Sequence, residues 1–85
     1  MKIGVAGTVE SNDCLISVSE SDNLEITIDS IVFEYFGDQI KKVIIDTLKE
    51  LNIDSIKVVC TDKGALDYTI KSRLVTAIKR MEENK

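Results

Sequence analysis

The chain has 85 residues, of which 44% are hydrophobic and 31% charged, the balance of one small globular domain rather than of a disordered segment. Its net charge of −4 offers no basic face for phosphates, which argues against a nucleic-acid partner. The absence of histidine removes the side chain most used in acid–base catalysis and metal binding, so an independent enzyme is disfavoured.

The N-terminal segment consists mainly of small and polar residues. Gly4, Ala6 and Gly7 precede the polar stretch 10–13, which reads ESND. We expect an edge strand or extended arm that ends in a loop. The segment has no signal-peptide pattern, and no part of the sequence approaches the roughly 20 apolar residues of a membrane span, so we predict a cytoplasmic protein without membrane contact.

A two-residue period follows. In residues 14–19 one side of the alternation is entirely apolar, and in residues 24–29 apolar side chains alternate with polar ones. The short polar segment 20–23 joins the two runs. This arrangement predicts a β-hairpin with one buried face.

The middle of the chain predicts a long helix. Residues 31–36 suit either a strand or a short helical turn, and we favour the turn because Gly37, a suitable C-cap, follows it. Asp38 would then cap a helix whose apolar residues recur every three or four positions from Ile40 to Leu51. Asn52 ends this helix.

A strand and a second long helix complete the pattern. Residues 56–61 alternate, the sequence DKG at 62–64 turns the chain, and apolar residues from 66 to 81 form one helical stripe. The two cysteines, Cys14 and Cys60, fall on apolar alternations without CxxC spacing. We interpret them as small core residues of a reduced protein rather than as a disulfide or metal site.

Together these elements predict an α+β fold. We expect a small two-layer sandwich, in which an antiparallel sheet containing the β-hairpin packs against two amphipathic helices. No linker, internal repeat or low-complexity stretch divides the sequence, so residues 1–85 are predicted to form a single domain.

Ser11 is the leading candidate for a functional residue. It lies in a polar loop just before a strand, where its hydroxyl would be exposed. A serine that is modified by another enzyme needs this exposure and no base of its own. The alternative is an ordinary turn serine, which composition alone favours.

Three other polar motifs have simpler interpretations. We expect Asp29 or Ser30 to cap the helical turn that follows the strand. Residues 61–67 could receive an anion at the start of the last helix, but a well-formed loop with an acidic first turn is favoured. Glu10 and Asp13 are unsuited to acid–base catalysis, because a solvated loop gives the two carboxylates no distinct environments.

Three stretches of the chain form a recognisable set. Residues 6–13 read AGTVESND, residues 36–40 read FGDQI, and residues 62–67 read DKGALD with Arg73 and Leu74 after them. In order and spacing this set resembles the acyl carrier protein of citrate lyase, its γ subunit. That family opens with A-G-T-(L/V)-E-S-x-D and has a D-K-G-A-L-(D/E) segment before its last helix. Three matches in register over nearly the whole chain are fairly specific.

The resemblance implies a covalent arm on Ser11. In the family, the serine of the E-S motif carries 2'-(5''-phosphoribosyl)-3'-dephospho-CoA through a phosphodiester. The terminal thiol of the arm holds acetyl and citryl thioesters while citrate is cleaved to acetate and oxaloacetate. A carrier supplies position and local concentration, so no catalytic or metal-binding residue is expected in this chain. Although conventional acyl carrier proteins use Asp-Ser-Leu, the resemblance does not place the arm on Ser30.

The resemblance also implies partners and leaves alternatives open. The partners are the CoA-transferase-like α subunit, the β (lyase) subunit and a prosthetic-group transferase. Carriers of malonate decarboxylase and citramalate lyase are related alternatives, and an interaction module without a prosthetic group would make Ser11 a simple turn residue. Residues 62–67 would either shape the loop or contact a partner.

Overall fold

The alternating segments build a four-stranded sheet. In the computed structural model, which describes residues 2–83, the strands are β1 (Ile3–Gly7), β2 (Cys14–Ser19), β3 (Leu24–Ser30) and β4 (Ile56–Asp62). They lie in the order β1-β2-β4-β3. β2 pairs antiparallel with both β1 and β4, whereas β3 pairs parallel with β4, so the sheet is mixed.

Two amphipathic helices complete the fold: α1 (Phe33–Glu50) and α2 (Asp67–Glu83). α2 packs against β1 and β2, α1 packs against β3, and the helices contact each other. The core between the two layers consists of alternate strand residues, such as Ile16 and Val58, and helix residues, such as Ile44 and Leu74, all of them fully buried. Each such side chain contributes about 1.5–3 kcal/mol by leaving water. The predicted two-layer α+β class is confirmed, but the predicted antiparallel sheet is wrong, because β3 runs parallel to β4.

The predicted β-hairpin between residues 14–19 and 24–29 is wrong. Both strands form, but β4 lies between them. In β4 the residues Ile56, Val58 and Cys60 are fully buried, which suits a central position. The segment 20–23 therefore passes across the end of β4, where the N–H of Ile56 donates to the carbonyl of Asn23. The observed hairpin joins β1 to β2. β1 lies at the edge of the sheet, as predicted for the N-terminal segment.

The predicted start of the long helix is also wrong. Gly37 does not end a helical turn and Asp38 does not begin a helix, because α1 runs unbroken from Phe33 through both positions. Gly37 is buried, and a Cβ atom there would lie only 2.9 Å from the ring of Phe33 one turn earlier. A side chain at position 37 would therefore have to displace the aromatic ring of Phe33.

α1 ends where the sequence predicts. Asn52 takes a positive φ of 57°, which asparagine tolerates better than most residues. The N–H groups of Asn52 and Ile53 donate to the carbonyls of Lys49 and Leu48. This is the Schellman arrangement of a helix C-terminus, and it confirms that Asn52 ends the helix.

Both cysteines are core residues, as predicted. Cys14 and Cys60 are free thiols with no exposed surface. A hydrogen bond with Cys14 and burial raise the pKa of the Cys60 thiol. A buried thiol that is not ionised is a poor nucleophile.

We therefore expect iodoacetamide to label Cys14 and Cys60 of the folded protein only as fast as the chain opens, and to label both promptly in denaturant. Intact mass against time measures the two rates. As a control, Asp22→Cys places a thiol at an exposed position and should react at once. Native labelling of Cys14 or Cys60 at the rate of the control would contradict this core.

Candidate functional site

The loop between β1 and β2 presents Ser11 at its tip. The N–H of Asp13 donates to the carbonyl of Glu10 over 3.2 Å, which closes a turn with Ser11 and Asn12 at its centre. Asn12 has a positive φ of 65°, the requirement of the third residue of a type II turn. Ser11 precedes it and is exposed, as predicted.

The Ser11 hydroxyl is not used by the fold. Among residues 2–83, no side chain or backbone group forms a hydrogen bond with Ser11 Oγ, whereas its neighbours Asn12 and Asp13 are both bonded. An exposed hydroxyl without a structural partner is free for chemistry performed by another protein.

Asp13 holds the loop from inside. Its carboxylate accepts the Thr8 hydroxyl (2.8 Å) and the backbone N–H of Cys14 (2.7 Å). Arg73 of α2 donates Nε and Nη2 to the two carboxylate oxygens, each over 3.0 Å. This fork-to-fork pairing fixes direction as well as distance. The loop therefore has one rigid anchor on the last helix.

The charge of Asp13 is stabilised by these contacts. The hydrogen bond from Arg73 lowers the pKa of Asp13 most, with help from Thr8 and the Cys14 N–H, to about 2. Asp13 therefore stays ionised at neutral pH and does not exchange protons with a reactant. Glu10 is exposed on the outside of the loop and makes no side-chain bond to Asp13, so the two do not form an acid–base pair.

A second anchor comes from the connection between β4 and α2. The N–H of Asn12 donates to the carbonyl of Lys63 (2.8 Å), and the N–H of Lys63 donates to the carbonyl of Asp13 (2.9 Å). Gly64 follows with a positive φ of 93°, which favours glycine at this position. Residues 62–64 thus shape and hold the Ser11 loop, which is one of the two roles that the sequence left open.

The buried side chain of Asp62 holds the connection between β4 and α2 by hydrogen bonds. It is almost completely buried; its Oδ2 accepts the Ser30 hydroxyl (2.8 Å) and its Oδ1 accepts the N–H of Ala65 (2.9 Å). Ser30 Oγ in turn accepts the N–H of Val32, just before α1. The prediction that Asp29 or Ser30 caps the next helix is wrong, because the N-cap of α1 is Val32 and no side chain caps it. Ser30 instead bonds the N–H of Val32, and its hydroxyl is occupied on both sides.

The partnership of Asp13 with Arg73 was missed by sequence reasoning. The two residues are separated by 60 positions, and no local pattern links them. The one available signal is that the matching stretch 6–13 ends at Asp13, and Arg73 belongs to the stretch that follows DKGALD.

A metal site and a membrane span each require particular features of the described residues. Residues 2–83 contain no cluster of three histidine, cysteine or acidic side chains that could hold a metal ion. Within the same residues, neither helix has the length and apolar character needed to cross a bilayer.

The ionised state of Asp13 predicts a pH dependence. Because its pKa is lowered from 3.8 to about 2 in the folded chain, its stabilising effect is present above about pH 4 and is lost as the pH falls towards 2. Asp13→Asn should lower the thermal midpoint by several degrees at neutral pH, and the deficit should shrink as the pH falls through this window. Thermal unfolding followed by circular dichroism at a series of pH values measures both.

A matched control is Asp46→Asn. The hydrogen bond from Lys42 lowers the pKa of Asp46, but this pair lies on the exposed surface of α1, where such pairs contribute little. Its effect should be small at every pH. An Asp13→Asn deficit that stays constant down to pH 2 would contradict the ionic account.

Comparison with known proteins identifies the family. Residues 1–81 match the acyl carrier protein model described as malonate decarboxylase delta subunit (MdcD). Similar proteins named citrate lyase acyl carrier protein occur in Treponema denticola (46% identity over 93% of this chain and 91% of the relative) and Lactiplantibacillus plantarum (51%, over 93% and 83%). Another, in Streptococcus mutans, is 49% identical over 89% of this chain and 76% of the relative. The chain therefore belongs to the citrate lyase acyl carrier protein family, as a carrier rather than a catalytic subunit.

Proposed function

We propose that this chain is the acyl carrier subunit of a citrate lyase and that Ser11 is its attachment site. The observation that carries the proposal is the exposed Ser11 hydroxyl, which lacks a bond to any of residues 2–83 on a loop that is anchored on both sides. A carrier needs its serine within reach of an attaching enzyme, and the base for attachment comes from that enzyme.

The group that Ser11 would hold is 2'-(5''-phosphoribosyl)-3'-dephospho-CoA, linked through a phosphodiester. The residues present fit such a group, because Ser11 is exposed and no hydrogen bond between its hydroxyl and residues 2–83 has to be broken. The bound arm supplies a thiol for acetyl and citryl thioesters during cleavage of citrate to acetate and oxaloacetate. The chain itself supplies a fixed origin for the arm, and tethering raises the local concentration of the thioester at the partner's site.

The remaining parts of the proposal follow from this role. The partners are the α (CoA-transferase-like) and β (lyase) subunits and the prosthetic-group transferase, in the cytoplasm. Residues 1–85 act as one acyl-carrier domain. The acidic balance of the chain, with a net charge of −4, suits docking to basic partner surfaces and disfavours nucleic acid.

Two serine variants test the proposal, because one should lose activity and keep its stability while the other should keep activity and lose stability. Ser11→Ala should abolish citrate cleavage by the assembled complex and change the free energy of unfolding by less than about 0.5 kcal/mol, because Ser11 is exposed and its hydroxyl forms no hydrogen bond with residues 2–83. Ser30→Ala should retain activity but cost about 1–3 kcal/mol, because buried Asp62 loses a donor. Citrate turnover by the reconstituted complex and urea unfolding of each variant give the two readouts. Normal turnover with Ser11→Ala would overturn the proposal in favour of an interaction module.

A second candidate is the carrier subunit of malonate decarboxylase. The matching family model, which covers residues 1–81, bears that description and favours it. Citramalate lyase would use a closely similar carrier. Reconstitution of the loaded chain with each set of partner subunits distinguishes them. We expect turnover of citrate, and turnover of malonate alone would select the second candidate.

A further inference from the structure

An apolar groove lies between the start of α1 and the segment that leads from β4 into α2. Its volume is about 660 Å³, within the range of small-molecule sites. The walls include Phe36, Leu66 and Tyr68, which are 54%, 61% and 72% exposed. We call this the β4–α2 groove. Three large apolar side chains left in water at one place indicate a surface that another group covers.

The β4–α2 groove begins next to the Ser11 loop. Gly64 lines the groove, and a Cβ atom on it would lie 3.6 Å from Asn12 Oδ1. The carbonyl of Lys63, one residue earlier, accepts the N–H of Asn12. Ser11 directly precedes Asn12, so a group attached to Ser11 leaves the loop beside the groove. Such a group is present there at a high effective concentration.

The charges of the groove select the kind of group that it accepts. Its ionisable residues are the carboxylates Asp62 and Asp67, together with the Tyr68 phenol, and none of the lysines and arginines within residues 2–83 lines it. Phosphates are therefore disfavoured in the groove, whereas a flat, uncharged group could lie against the two aromatic rings. Aromatic side chains on which bases stack are a common way for proteins to bind nucleobases.

The side chains of Gln39 and Asp67 offer hydrogen-bonding groups that suit the edge of a purine base. Gln39 Nε2 donates to Asp67 Oδ2 over 2.7 Å at the groove. The glutamine retains a free carbonyl oxygen and a second N–H, the pair of groups that reads the N6 and N7 atoms of adenine. Because Gln39, Phe36 and Tyr68 line the same groove, one base there would have both an edge contact and ring faces available.

We propose that the β4–α2 groove holds the adenine ring of the arm, an inference that rests on the proposed function of Ser11. In the proposed arm only a phosphoribosyl group and the ribose of the adenosine separate adenine from the serine, whereas the pyrophosphate and pantetheine lie beyond. Holding the adenine gives the arm a second fixed point outside the loop. The pantetheine and its thiol then start from a defined place and stay free to reach a partner.

The test compares the loaded and unloaded chain by NMR. On loading, the amides of residues 64–68 should shift, and the adenine H2 and H8 protons should show nuclear Overhauser effects to Phe36, Leu66 or Tyr68. Tyr68→Ala should weaken or remove these effects without changing the mass that loading adds to the protein. Tyr35→Ala is the matched control, because Tyr35 is 81% exposed on the same helix as Phe36 and does not line the groove.

The outcomes separate this inference from the proposed function. A loaded Ser11 with averaged adenine signals and unshifted groove amides would overturn the inference and leave the carrier function intact. Effects from pantetheine protons to the groove, in place of adenine protons, would overturn it as well. A chain that its transferase does not modify at Ser11 would overturn both, since the groove would then have no tethered occupant.

Discussion

The ion pair between Asp13 and Arg73 is the constraint on which the functional end of the molecule depends. It joins the last residue before β2 to the middle of α2 through two parallel hydrogen bonds of 3.0 Å. With Asp13 fixed, its remaining bonds orient Thr8 and the start of β2, and the turn between them projects Ser11 outward. A short loop with both ends fixed presents its tip with little loss of entropy when a partner binds.

The order of the strands brings the two matching motifs together. Because β2 and β4 are antiparallel neighbours, Cys14 at the start of β2 lies opposite Asp62 at the end of β4. The segments 8–13 and 62–66 therefore meet at one edge of the sheet and exchange backbone hydrogen bonds through Lys63. If β2 paired with β3, as the hairpin prediction required, β4 would not lie beside β2. The mixed sheet is thus what places the β4–α2 connection beside Ser11.

Local sequence patterns predicted the strands and helices but not which strands pair with each other. Alternation located the strands, the three-to-four residue period located the helices, and Asn52 ended α1 as expected. The hairpin prediction failed because segment 20–23 is long enough either to join neighbouring strands, about 4.8 Å apart, or to cross over one intervening strand. Only the burial of β4 decides between these two arrangements. Gly37 was misread because its role depends on the ring of Phe33. The exposure of Ser11 was predictable from its polar loop, whereas the anchor Arg73 and the groove formed by two distant segments arise only in the folded chain.

The most direct test of the carrier account is peptide mapping of this protein purified from its own cells during growth on citrate. Tandem mass spectrometry of the peptide that contains Ser11 should show phosphoribosyl-dephospho-CoA on that serine, while the peptide that contains Ser30 stays unmodified. An unmodified Ser11 in cells whose citrate lyase is active, or an arm on another residue, would contradict the account.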